Sequence, residues 1–430
     1  MIRIIGAFLL FVTPWVFAAE QPKNIIMVIG DGMGPVYTSG YRYYADDPAT
    51  PVVETTIFDE LLVGLASTYP APESGVVTDS AAGATALSSG VKSYNGAIGV
   101  DVNRKPLPTV LELAKQRGMK TGIAVTSQIN HATPAAYMAH NESRNNYNEI
   151  ADSYFDDRLN GHFKADVMLG GGWAYFIRPG RNLVAEFQEA GFQYVDSMAA
   201  LTSAPVGKPL LGLFADKGLP WALDYPDHQR LPLLAKTAVK HLQGDQGFFL
   251  LIEASQVDWG GHANDVAAAM GEMDDMAITL EWLKQFVDAD GETLLVVTAD
   301  HSTGGISLGS SGKYEWHPEV IRKLEQSPTK IAEQLLALPM GKRAALLKVQ
   351  LGAELNAEEA TALAGLTDAR SAEGLVKKLI DRLTNTGWTT GGHTAVDVPV
   401  MAYGMGAEQF RGHQDNTEIA KKVIALLPEK

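Results

Sequence analysis

Asp258 and His262 stand four residues apart in "EASQVDWGGH", a spacing that brings two side chains to one face of a helix. A carboxylate and an imidazole so placed can begin a metal site, and His393 in "GGHT" offers a second imidazole. Asp31, Asp300 and His301 make another mixed set. Nitrogen and carboxylate ligands without thiolate suit zinc that keeps an open position. Glu253, Thr133 and a shared Asp31 form an all-oxygen set, which suits magnesium. Two metals roughly 4 Å apart are a device for in-line displacement at phosphorus.

A nucleophile candidate lies in "TDSAAGATALSSG", residues 78–90. Ser80 heads a run of very small residues, where a helix start would surround it with free N–H groups and a positive field. A neighbouring metal would make its hydroxyl easier to deprotonate. Ala81, Ala82, Gly83 and Ala84 would let that helix end approach metals and substrate closely. Asp79 could orient a cationic partner, and Arg144 in "AHNESRNN" is a candidate fork for two phosphate oxygens. Alone, Ser80 reads as readily as a plain N-cap, and Arg144 as a surface ion pair. The case rests on their conjunction with the ligand sets.

The elements that must position these residues are legible. Apolar runs at 24–30, 120–126, 165–171, 248–254, 293–299 and 398–404 read as buried parallel strands. Helical patterns lie between them, including 107–118 and 265–287. This alternation predicts an α/β fold, a three-layer sandwich around a mostly parallel central sheet. Ligands of open α/β sheets bind beyond the carboxyl ends of the strands. Asp31, Glu253 and Asp300 fall at such ends, and His131, Thr133 and His393 fall close to strands. From about 314 to 386 the strand signal vanishes, which predicts a mainly helical insertion with helix starts at Ser327, Asn356 and Ser371.

Composition narrows the function. Thirty-five Lys and Arg against 50 Asp and Glu give a formal net charge of −15 over 430 residues. Such a surface repels phosphate backbones, which argues against a specific nucleic-acid partner. With no cysteine, any metal must bind through His, Asp, Glu and hydroxyls. Arg3 precedes an apolar run at 4–17, with small residues before a cleavage-like position near Ala18. Residues 1–18 are thus expected to be a signal peptide and 19–430 the mature α/β domain, periplasmic or secreted. No other stretch is apolar and long enough to span a bilayer, so no membrane partner is expected after cleavage.

The segments "NIIMVIGDGMG", "VVTDSAAGATALSSG", "HATPAAYMAHNESR", "ADVMLGGG", "IEASQVDWGGH", "VVTADHSTGG" and "GGHT" together resemble the alkaline phosphatase family, in order, from about residue 24 to 404. The resemblance implies hydrolysis of phosphate monoesters, with Ser80 becoming phosphoserine and Arg144 clamping the phosphate. It implies a first zinc on Asp258, His262 and His393, a second on Asp31, Asp300 and His301, and one magnesium on Asp31, Thr133 and Glu253. Family members are often homodimers, so a homodimer is left open. His131 stands where some members carry Asp, and an imidazole there favours zinc over magnesium. Trp259 stands where some carry Lys, which removes a cation near the phosphate. His140, His162, His228, His241 and His413 are expected at the surface or on caps, and His317 and Trp316 near the site mouth.

Two other functions share parts of this pattern. A related metal-dependent phosphodiesterase or sulfatase would share the fold, but a guanidinium fork wants the two free oxygens of a monoester. A non-catalytic exported phosphate- or metal-binding protein would have no use for a serine beside the ligands.

Overall fold

Runs of Ile, Val, Leu and Phe assemble into one ten-stranded sheet in the computed structural model, which describes residues 21–226, 229–352 and 354–429. The expected leader and His228 lie outside the described residues. Across the sheet the order is Gly412–Asp415, Leu62–Ser67, Val398–Gly404, Thr293–Thr298, Asn24–Gly30, Phe248–Ala254, Lys120–Gln128, Val167–Gly171, Leu210–Leu213 and Gln193–Val195. The central strands Asn24–Gly30, Phe248–Ala254 and Thr293–Thr298 are buried at every position, as their unbroken apolar runs require.

All six expected strands form. Val398–Gly404 departs from the expectation in direction, because it pairs antiparallel with both of its neighbours. The reversal has a consequence for chemistry. In a parallel strand, a residue just before the first position lies at the end of the sheet away from the ligands. Antiparallel pairing brings His393, just before Val398, to the end where Asp31 and Asp300 leave their strands. Register completes the alignment, since Ile29 lies opposite both Glu253 and Thr298.

Helices cover both faces. Arg230–Leu242 and Val266–Asp290 pack together against the sheet, while Ser80–Ser89, Val110–Gln116, Ala132–Met138 and Asn416–Leu426 form the other group. Between 328 and 384 lie the helices Pro328–Ala337, Met340–Leu351, Ala357–Ala364 and Ala369–Thr384. Ser327 and Asn356 cap the first and third. Ser371 does not start the fourth: Asp368 does, accepting from the Ser371 N–H at 2.9 Å, which places Ser371 inside the first turn. No helix among the described residues is long and apolar enough to cross a membrane.

Candidate metal centre

Each ligand candidate except His393 is delivered by a strand end or by a segment that follows one, and His393 comes from a two-residue ladder with Ser302–Thr303. Asp31 follows the strand Asn24–Gly30, and Gly32 then turns the chain at φ +72°. A Cβ on Gly32 would sit 2.7 Å from Thr303 Oγ1 and 2.8 Å from Asp258 Cα, so a side chain here would wedge the site apart. Ser80 is the first residue of Ser80–Ser89, with Asp79 as N-cap accepting from the Ala82 N–H at 2.9 Å. The helix is almost entirely buried, and Gly83 lies against Asp300. Asp258 and His262 lie on Gln256–His262. The start of that helix is held by the fully buried Arg230, which donates to Gln256 Oε1 at 2.6 Å and also pairs with Glu272 and Asp275.

The imidazoles share one orientation. His262 Nδ1 meets the Gly391 carbonyl at 2.7 Å and His393 Nδ1 meets the Thr78 carbonyl at 2.9 Å. A carbonyl only accepts, so each Nδ1 carries the proton and each Nε2 presents a lone pair. Those two Nε2 atoms are 3.0 Å apart, and both face Asp258, at 3.4 and 3.5 Å from its carboxylate oxygens. Two lone pairs aimed at one point beside a carboxylate suit a cation. His301 behaves alike: its Nε2 lies 3.4 Å from Asp31, 3.2 Å from Asp300 Oδ2 and 3.1 Å from Ser80 Oγ.

The carboxylates are arranged as donors to something absent from the protein itself. Glu253 Oε2 accepts from Ser255 at 2.5 Å and Ser127 at 3.2 Å, while Oε1 has no hydrogen-bond donor. Asp300 Oδ1 accepts the N–H groups of Gly32 and His301, and Oδ2 is left free. Both oxygens of Asp31 are free of donors. Burial, reinforced by the charges of Asp300, Asp258 and Glu253, drives Asp31 well above the usual carboxylate range. Burial likewise pushes Glu253 up to about 7 and raises Asp300. Unpaired buried carboxylates on this scale are costly unless a cation joins them. Three groups have ligand atoms all within 4.8 Å of one another: Asp258, His262 and His393; Asp31, Asp258 and His301; Asp31, His131 and Glu253. The donor chemistry therefore fits metal binding in three adjoining positions.

The structure brings every sequence-derived candidate to this one place. Arg144 donates to Asp79 Oδ2 at 3.0 Å, so Asp79 both caps the Ser80 helix and holds the guanidinium. Thr133 is buried in the helix Ala132–Met138, whose N-cap is His131. Burial, and then Arg144, depresses His131 to about 3, leaving a neutral ring able to ligate. Its ligand nitrogen lies within 4.8 Å of carboxylate oxygens of Asp31 and Glu253, so an imidazole stands beside the set expected to be all oxygen. The Trp259 indole stands edge-on to His131, with ring centroids 5.9 Å apart.

Two histidines expected at the surface lie elsewhere. His140 bonds Gly99 O and Glu112, and His241 is buried, so neither is a surface residue. His317 pairs with Glu319 and Glu315, and Trp316 with Thr386 and Tyr43, contacts that leave their expected place near the site mouth unchanged. Sequence reasoning missed Ser127, Ser255 and Thr303, because a lone hydroxyl carries no spacing signal.

A mostly parallel sheet with this cluster and a buried serine at its strand ends defines an α/β metalloenzyme. A family model described as alkaline phosphatase matches residues 22–428. Alkaline phosphatase 3 of Bacillus subtilis (strain 168) is 46% identical over 95% of this chain and 89% of its own length. The crystal structure of a cold-active alkaline phosphatase from the psychrophile Shewanella sp. superposes with a TM-score of 0.89 at 48% identity, over 94% of this chain and all of that one. A histidine-to-aspartate mutant of the alkaline phosphatase of the Antarctic bacterium TAB5, with magnesium bound in its M3 site, matches with a TM-score of 0.69 at 28% identity, over 95% and 99% of the two chains. The chain belongs to the alkaline phosphatase family, metal-dependent hydrolases of phosphate monoesters.

Proposed function

We propose that the chain hydrolyses phosphate monoesters through a phosphoserine on Ser80, at a centre of two zinc ions and one magnesium. The observation that carries this reading is the position of Ser80 Oγ, 3.1 Å from His301 Nε2 at the edge of the ligand cluster. Asp258, His262 and His393 would hold the first zinc, Asp31, Asp300 and His301 the second, and Asp31, Thr133 and Glu253 the magnesium. When bound, the ions supply positive charge that favours the Ser80 alkoxide and stabilises charge building on the phosphoryl oxygens. His131 lies within reach of the third set and draws it towards zinc. The TAB5 mutant that holds magnesium in its M3 site has lost a histidine, which supports that tendency.

The residues divide the remaining work. Arg144, held by Asp79, offers its fork to two phosphoryl oxygens and so favours a monoester over a diester. The free N–H groups at the start of Ser80–Ser89 face the same anion. Ser80 Oγ attacks phosphorus and the alcohol leaves on the opposite side. Water then displaces serine in a second in-line step, so configuration at phosphorus is retained. Quenching turnover at low pH should trap phosphate on Ser80, located by mass spectrometry. Ser80→Ala should keep its metal content and lose several orders of magnitude in kcat. Turnover near the wild-type value would remove Ser80 from the mechanism.

A further inference from the structure

Of the three imidazoles in the two zinc sets, His262 and His393 are anchored at Nδ1 by carbonyls, and the third is not. His301 Nδ1 meets the hydroxyl of Thr303 at 3.2 Å. A carbonyl can only accept, but a hydroxyl can also donate. A hydroxyl that donated to Nδ1 would put the ring proton on Nε2 and remove the lone pair facing Asp31, Asp300 and Ser80. The same hydroxyl lies 2.5 Å from Asp258 Oδ1, an acceptor that takes its one proton. With that proton committed, Thr303 Oγ1 can only accept from His301 Nδ1–H, and Nε2 is left free.

We infer that Thr303 is a positioning residue that links the two zinc sets: its hydroxyl orients Asp258 of the first and sets the tautomer of His301 in the second. The inference rests on the metal reading above. The threonine is itself fixed from several sides. It is fully buried, its N–H donates to Gly32 O at 3.1 Å, its carbonyl accepts from Tyr37 at 2.8 Å, and it pairs across a two-residue ladder with His393. Its backbone thus touches the turn after Asp31 and the segment carrying a ligand of the first set. Partners that fix a ligand's tautomer and orientation are worth about 10- to 100-fold in metal affinity.

Thr303→Val removes the hydroxyl at nearly constant volume, and Thr303→Ser keeps it. Zinc affinity is read on the full chain by competition with a chromophoric chelator, with circular dichroism confirming the fold. Thr303→Val should bind zinc about 10- to 100-fold more weakly, at both sets, and Thr303→Ser should bind near the wild-type value. Wild-type affinity in Thr303→Val overturns the inference, as does equal weakening by serine and valine. The tautomer is read independently by 15N NMR of the metal-stripped wild type, where no ion on Nε2 dictates it, so misfolding of a variant leaves the test intact. His301 protonated at Nδ1 is expected; protonation at Nε2 overturns the inference. A wild-type enzyme that binds no zinc instead brings down the metal reading on which it rests.

Discussion

At the scale of the residue, Trp259 poses the sharpest question. Its indole packs where a Cβ on Gly218 would fall 2.2 Å from a ring carbon, and its edge meets His131. Close packing accounts for its presence without assigning it a part in turnover. The family resemblance implies a further property, that a lysine at this position would bring a cation to the phosphate. A charge-assisted hydrogen bond is worth roughly 1.5–3 kcal/mol, or about one to two orders of magnitude in binding. Trp259→Lys should therefore tighten inhibition by inorganic phosphate by about tenfold or more while zinc content holds. Where product release limits turnover, kcat should fall with KM. Loss of zinc with unchanged phosphate inhibition would make Trp259 a packing residue alone.

At the scale of the element, the helix Val110–Gln116 ties the Arg144 segment to the core. Glu112 closes a capping box with Thr109. Its other oxygen meets His140 Nε2 at 3.0 Å and Lys164 Nζ at 2.9 Å, and Lys164 also donates to Met138 O. His140 in turn meets Gly99 O, next to the bridge between Ile98 and Asn141 that frames Arg144. Burial alone would raise the Glu112 carboxyl, but the hydrogen bond from His140 and the charge of Lys164 outweigh it and hold the group at about 2. A carboxyl depressed below its unfolded value, near 4.3, stabilises the fold above that pH and loses the contribution as pH falls towards 2. Glu112→Gln should thus cost roughly 3 kcal/mol near pH 7, read from urea denaturation. The gap from wild type should narrow below about pH 4. A gap independent of pH would show that charge at Glu112 does not matter.

At the scale of the whole molecule, the centre concentrates negative charge in a chain that is already acidic. Asp31, Glu253, Asp258 and Asp300 converge in the buried interior, with Arg144 beside them. Ligands that bind only the folded state stabilise it by mass action, about 2.7 kcal/mol for a site at one hundred times its dissociation constant. Stripping with EDTA should therefore abolish activity and lower Tm together, and zinc with magnesium should restore both. A stripped protein that melts with the loaded one would mean that the clusters hold no ion.

Chemistry on this chain is written locally, and local signals survive in sequence. The four-residue spacing of Asp258 and His262, the acids following apolar strands and the small residues after Ser80 all depend on neighbours along the chain. They were enough for the α/β class and the ligand candidates. The direction of Val398–Gly404 was not legible, because an apolar run looks alike whichever way its neighbours point; the strands beside it decide. The inclusion of His131 in the third set was decided by how close it comes to Asp31 and Glu253. The Nδ1 partners of His262 and His393 lie more than a hundred residues away along the chain. Thr303 is only two residues from His301, but its hydroxyl acquires its role from Asp258, which arrives from another strand end. Residue types set which atoms can bind or react, whereas the proton each one carries and the lone pair it presents depend on partners that only folding brings within hydrogen-bond distance.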